Sequence, residues 1–140
     1  LPEMFGTIET TATYDKIYNI FKAKQQVITE EFKEWGTDYM AHFSHWFPWG
    51  VMVYDRFLIA KPPRDPHEAL QLHTEIWGKA ARASLEHGGV LNDHHGIGFK
   101  LGWLMEEQYG AAWPMVQGIK DALDPAGIMN PGKLGFIRRK

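Results

Sequence analysis

The sequence predicts an α+β fold: a ferredoxin-like β-α-β-β-α-β antiparallel sheet with helices on one face, plus C-terminal helices. Three observations carry that expectation. Alternating or uniformly apolar stretches mark strands near residues 5–13, 39–47, 51–61 and 90–91. Apolar residues three or four apart mark two long helices between them, at 14–35 and 66–87. Glycine and proline clusters punctuate the joints at Gly36, Pro48-Trp49-Gly50, Pro62-Pro63 and Gly88-Gly89.

Phe5 to Thr13 is rich in Thr, Ile and Phe and reads as a strand, after which Thr13 is placed to cap a helix. From Tyr14 to Trp35 the spacing of Ile17, Tyr18, Phe21, Ile28, Phe32 and Trp35 buries one helical face. Lys16, Lys22, Lys24, Glu30 and Lys33 are expected in water, and Gly36 ends the helix. Tyr39 to Phe47 alternates, with Tyr39, Ala41, Phe43, His45 and Phe47 on one face and Met40, His42, Ser44 and Trp46 on the other. Val51 to Lys61 completes a hairpin and is apolar on both faces, as a covered central strand should be. Asp55 and Arg56 interrupt it, and a charge there must either be bridged locally or line a pocket.

Asp65-Pro66-His67-Glu68 is an unusually complete helix start, with an Asp cap, Pro at the first helical position and Glu three residues after the cap. The helix runs to about His87 and buries Ala69, Leu72, Ile76, Ala80 and Ala83, with His73 a packing histidine at the stripe's edge. Val90-Leu91 is a short strand. Leu101, Leu104, Met105 and Tyr109 fit a short helix, and another starts near Pro114 and runs to Leu123, burying Val116, Ile119 and Leu123.

The 140 residues suffice for one globular domain with a core. A net charge of -2 gives no electrostatic ground for nucleic-acid binding, and the basic end Arg138-Arg139-Lys140 is too short to change that. Zero cysteines exclude disulfides, Fe–S clusters and thiolate zinc sites. No stretch is long and apolar enough for a transmembrane segment or signal peptide, so the expected compartment is the cytoplasm, with peripheral membrane association left open. Residue 1 is not Met, which leads to the expectation of a fragment of a longer chain.

The densest titratable cluster is Asp93-His94-His95, bracketed by Gly88, Gly89, Gly96 and Gly98. In the split β-α-β-β-α-β layout this loop leaves the last strand at the rim of the sheet, toward hairpin groups such as His45, Tyr54 or Arg56. Adjacent residues of an extended chain point to opposite sides, so both imidazoles reach one substrate only if the loop bends, which the glycines permit.

The string Gly88-Gly89-x-Leu91-x-x-His94-His95-Gly96-Ile97-Gly98, with Ile119-Lys120-Asp121-Ala122-Leu123-Asp124-Pro125-Ala126-Gly127-Ile128-Met129-Asn130-Pro131-Gly132-Lys133, closely resembles the carboxyl-terminal domain of FAD-linked oxidases of the vanillyl-alcohol-oxidase type. The resemblance covers nearly the whole chain. Glu9-Thr10, Tyr14-Asp15 and His73-Thr74-Glu75 look most like the alkyl-dihydroxyacetonephosphate synthase branch, with the glycolate oxidase branch also near.

The resemblance implies that residues 1–140 form a single cap and substrate-binding domain, with FAD held mainly by a separate amino-terminal domain of the parent protein. The histidine loop would then lie near the isoalloxazine. The Asn130 and Lys133 tail would return toward the flavin domain, making those two residues cofactor-binding. The departures from the family pattern are informative. The 2-hydroxy-acid dehydrogenase branch has metal ligands at the positions of Phe47, Tyr54 and His94, and a phenyl ring at 47 cannot ligate, so no metal is expected. In the synthase branch the first position is a proton-transferring tyrosine and the loop has three histidines; here Phe47 and Asp93 stand instead.

Hydride removal from a hydroxyl-bearing carbon needs a group that takes the hydroxyl proton and holds the developing oxyanion, and a neutral imidazole suits both. His95 is therefore the expected base, His94 its assistant and Tyr54 a third catalytic group, with Asp93, His45, Phe47 and Arg56 facing substrate. A homodimer is compatible with the sequence. Two other classes stay open: a metal-binding or hydrolytic domain using His42, His45, Asp93, His94 and His95, and an interaction module presenting Trp46, Pro48 and Trp49. Within flavin chemistry the alternative is a synthase-like transferase.

Overall fold

The computed structural model describes residues 1–136. Ile137 to Lys140, including the basic end, lie outside the described residues. The chain divides into two units, residues 1–93 and 94–140.

The first unit holds the sheet. Strand β1 (Met4–Thr13) leads into helix α1 (Tyr14–Gln26), the hairpin β2 (Thr37–Phe47) and β3 (Gly50–Ile59), helix α2 (Pro66–Glu86) and strand β4 (Val90–Leu91). All pairings are antiparallel, in the order β2-β3-β1-β4, which is the predicted α+β arrangement. One face of the sheet packs under α1 and α2 through Ile17, Ile20, Val51, Val53, Phe57 and Ile76, all buried. Asp65 caps α2 as expected, accepting from the backbone N–H of His67 at 2.9 Å and of Glu68 at 3.0 Å. His73 packs its ring 5.2 Å from that of Phe57 and bonds the Phe5 carbonyl at 3.2 Å, a satisfied packing histidine.

The first helical stretch departs from expectation in three ways. Its α-helix ends at Gln26, and a π-turn (Val27–Glu31) and a 3₁₀ turn (Lys33–Trp35) carry the chain on to Gly36, which closes it at φ 63°. Buried positions at Ile20, Lys24, Ile28 and Phe32 are each four apart, a spacing that drifts around a regular α-helix of 3.6 residues per turn; the wider π-turn brings the last of them back toward the core. Tyr18, expected inside, is 60% exposed. Lys24, expected in water, is fully buried.

The alternation of β2 also fails at one point. The ladder pairs Ser44 with Met52 and then Trp46 with Val51, leaving His45 as a bulge at φ 50°. Beyond it the faces exchange: Trp46 turns to the helical side, where its ring stacks on Tyr14 with centroids 6.3 Å apart, and Phe47 no longer shares a face with Phe43.

The second unit contains α3 (Met105–Tyr109), α4 (Trp113–Leu123) and short 3₁₀ turns. Leu101, Leu104 and Met105 are buried there. Ile119 and Leu123, expected inside, are exposed. No helix among the described residues is long and apolar enough to cross a membrane.

Candidate active site

Successive residues of β3 point to opposite faces, so Asp55 lies under the helices while Tyr54 and Arg56 lie on the face that α1 and α2 leave uncovered. Asp55 accepts from the Lys24 ammonium and from the Tyr39 hydroxyl. Lys24 also donates to Thr10 Oγ1 at 3.2 Å, Thr10 donates to Ser84 Oγ at 3.0 Å, and Ser84 donates to the Ala80 carbonyl at 3.1 Å. Burial pushes the Lys24 pKa down and those of Asp55 and Tyr39 up, with the Asp55 charge raising the Tyr39 phenol further. Of the two expectations for the strand charges, Asp55 meets the first, a local bridge, and Arg56 the second, a pocket wall.

On the uncovered face the register aligns His42, Tyr54 and Glu9 in one row across three strands. The His42 and Tyr54 rings stack, with centroids 5.2 Å apart and planes 25° from parallel. Next to the row, Phe5, Thr7, Met40, Ala41, His42, Tyr54 and Arg56 line a groove of about 540 Å³. The Arg56 guanidinium lies 5.4 Å from the Phe5 ring centroid and has no carboxylate partner among the described residues. Glu9, Thr11 and Met52 belong to the same face and are buried.

The loop after β4 crosses this sheet. The Asn92 N–H bonds the Glu9 carbonyl at 3.0 Å at one edge, yet the carboxylate of Asp93 pairs with Nδ1 of His45 on β2, the opposite edge strand. Three strand spacings, about 14 Å, separate those edges. The His45 bulge turns the ring out of the strand's alternation to meet Asp93. In the second unit His94 and His95 are exposed and their ring centroids are 4.1 Å apart. The positive φ of Asn92 (71°) and Gly96 (83°) bends the loop that carries them, as two adjacent imidazoles on one side require.

The two end motifs meet within the second unit. The Leu134 N–H bonds the Gly98 carbonyl at 2.9 Å, Lys133 Nζ sits 3.8 Å from the Phe99 ring centroid, and a Cβ on Gly102 would approach the Gly135 nitrogen to 2.6 Å. Asn130, at φ 46°, accepts from the Lys133 N–H at 3.2 Å. Phe47 stacks on Trp49 with centroids 5.1 Å apart and accepts from the Tyr14 hydroxyl at 2.6 Å.

Sequence reasoning left Glu9 out of the site and gave His42 only to a metal reading. Strand parity carried a signal for both, because Glu9 alternates with Ile8 and Thr10, and His42 pairs with Tyr54 in the hairpin. As for FAD, the N-termini of the two long helices do not fit its phosphates: Asp65 already takes the free N–H groups of α2, and α1 opens with Asp15.

A ferredoxin-like sheet with a grooved face opposite its two long helices, and a glycine-histidine loop joined to an Asn-Pro-Gly-Lys tail, define the class. The chain belongs to the family described as FAD linked oxidases, C-terminal domain, which it matches over residues 4–134. It is 30% identical over 129 residues to the alkyldihydroxyacetonephosphate synthase of Dictyostelium discoideum, covering 90% of this chain and 21% of that protein. It is 29% identical over 139 residues to the FAD-linked oxidoreductase YgcU of Escherichia coli K12, covering 95% of this chain and 28% of that one. A probable mitochondrial D-lactate dehydrogenase of Danio rerio is 36% identical over 78 residues, 55% of this chain and 16% of its own. A solved alkyldihydroxyacetonephosphate synthase shares the fold, with a TM-score of 0.59 and 22% identity over 92% of this chain and 20% of that structure. The chain thus spans between a fifth and little more than a quarter of the relatives it matches over most of its length.

Proposed function

We propose that residues 1–140 are the single cap and substrate-binding domain of an FAD-dependent oxidoreductase that oxidises a hydroxy acid or alcohol, with FAD held mainly by another domain of the same polypeptide. The observation that carries this reading is the groove on the sheet face opposite α1 and α2, lined by Tyr54, His42 and an Arg56 without a carboxylate partner among the described residues, together with the apolar Phe5 and Met40. The chemistry FAD supplies when bound is acceptance of a hydride from the hydroxyl-bearing carbon.

The chain's own residues do the rest. Arg56 pairs with the substrate carboxylate, a charge-assisted contact that fixes which end of the substrate enters the groove. The phenol of Tyr54, held by the His42 ring, donates to the substrate oxygen. His95 takes the hydroxyl proton, with His94 beside it at the bent loop, and a neutral imidazole is the right acceptor near neutral pH. Asp93 and His45 hold the root of that loop on the sheet, and Phe47 lends an apolar wall. Asn130 and Lys133 face the flavin from the tail. A transferase reading is favoured by the synthases of Dictyostelium discoideum and Trypanosoma brucei brucei, each matching 90% of the chain.

The test is an absorbance spectrum of the intact polypeptide, purified as the cell makes it without added cofactor, followed by anaerobic addition of hydroxy acids and alcohols. A flavin spectrum bleached by one of them is the expected result. A flavin bleached by none turns the reading to the transferase, and a colourless protein that takes up no FAD overturns both.

A further inference from the structure

On the sheet face opposite α1 and α2 the strand registers set the side chains in rungs. The rung after that of Tyr54 carries Thr7, Arg56 and Met40, and the last carries Phe5, Leu58 and Asp38. Rungs on one face are two residues apart, about 7 Å, so the last lies about 14 Å from Tyr54. Burial falls in the same direction: Glu9 beside Tyr54 is 5% exposed, Tyr54 is half-buried, and Met40 and Phe5 are 55% and 61% exposed. The groove is deep at Tyr54 and opens over an apolar lip.

A substrate that meets Tyr54 with its hydroxyl and Arg56 with its carboxylate has spent its polar atoms on the first two rungs. A three-carbon hydroxy acid is about 5 Å long and ends there. It would leave Met40 on the β2 side of Arg56, and Phe5 on the β1 side, facing water in a groove of about 540 Å³, a volume suited to far larger ligands. A second acid group would find no support. Arg56 is the one guanidinium or ammonium group among the described residues lining the groove, and Asp38, exposed on the last rung, repels a carboxylate arriving beyond it.

We propose that the site selects 2-hydroxy monocarboxylic acids whose side chain is an apolar tail long enough to lie over Met40 and reach Phe5, an assignment that rests on the function proposed above. At about 1.3 Å per methylene, five carbons span the step from the Arg56 rung to the Phe5 rung. Met40 and Phe5 determine specificity by touching the tail, and Asp38 does so by excluding a diacid. A fully buried methylene contributes about fourfold to binding, and one lying in a groove open on one side about twofold.

The test uses the intact polypeptide with the flavin it is purified with. The second-order rate of anaerobic bleaching is measured with racemic lactate, 2-hydroxyhexanoate, 2-hydroxyoctanoate and 2-hydroxyglutarate. Five added methylenes should put 2-hydroxyoctanoate ahead of lactate by about 30-fold, and 2-hydroxyglutarate should be slower than 2-hydroxyhexanoate. Met40→Thr should cut the octanoate-to-lactate ratio about threefold, a readout that a loss of stability alone does not move. Asp38→Lys should raise the glutarate-to-lactate ratio by a similar factor. An octanoate-to-lactate ratio near one, a 2-hydroxyglutarate faster than every monoacid, or a high ratio that Met40→Thr leaves unchanged overturns the tail site and leaves the function standing. A flavin bleached by no hydroxy acid overturns both.

Discussion

Asp55 and Tyr54 are neighbours on β3, yet the first is sealed against Lys24 and Tyr39 beneath the helices while the second lies on the uncovered face beside His42 and the Arg56 groove. On the covered face every oxygen of the carboxylate is engaged by a buried donor, and the whole network is closed by Thr10 and Ser84. On the uncovered face the Arg56 guanidinium has no carboxylate partner among the described residues, and the Tyr54 phenol is held by a ring stack. A polar residue in a strand is therefore a poor guide to function until its parity is known. The same strand carries one charge for architecture and, one residue on, another in the wall of a groove.

The largest expected effect breaks the covered face. Lys24→Met leaves Asp55 buried without its cation, and a loss of about 3–5 kcal/mol in urea unfolding is expected; adding Asp55→Leu should restore most of it, because the pair as a whole contributes far less than either orphaned partner costs. Tyr39→Phe removes one donor from Asp55 and should lose about 1–3 kcal/mol, with substrate kinetics of the intact polypeptide unchanged. On the other face, Arg56→Gln should raise KM for a hydroxy acid about tenfold at nearly constant kcat, and leave urea unfolding within about 0.5 kcal/mol. An Arg56→Gln protein that unfolds early, or a Tyr39→Phe protein with altered KM, would erase the distinction between the faces.

The smallest effect lies in the second unit. The Lys120 hydrogen bond, with the Ile128 and Met129 N–H groups, holds the Asp124 carboxyl below its usual pKa. A carboxylate depressed in the folded state stabilises it above the unfolded value near 3.8 and ceases to do so as pH falls through the lower folded value. The protection of the Ile128 and Met129 amides, measured as exchange relative to the intrinsic rate at each pH, should therefore fall only below about pH 4. Protection lost already near neutral pH would assign it to something other than Asp124.

Much of this was legible in the residues. Asp65-Pro66 and Glu68 announce α2, Gly36 and Gly88-Gly89 mark real joints, and the order of strands and helices follows from their punctuation. The bend at the histidines was permitted by glycine, and Gly96 supplies part of it together with Asn92. What failed had local causes. Lys24 was read by its charge, although 20, 24, 28 and 32 form a single stripe; a partner 31 residues away decides that it is buried. The His45 bulge has no glycine or proline to announce it, so the alternation expected past it fails for Trp46 and Phe47. Ile119 and Leu123 show helical periodicity correctly, but periodicity names a face and not what covers it.

The most direct measurement is Tyr54→Phe in the intact polypeptide, with anaerobic flavin bleaching and urea unfolding recorded on the same preparation. A chemical role for the uncovered face predicts bleaching slowed by about 10²-fold or more and unfolding within about 0.5 kcal/mol of the parent. Bleaching at the parent rate would contradict it, and would leave the His42–Tyr54 stack as packing like any other.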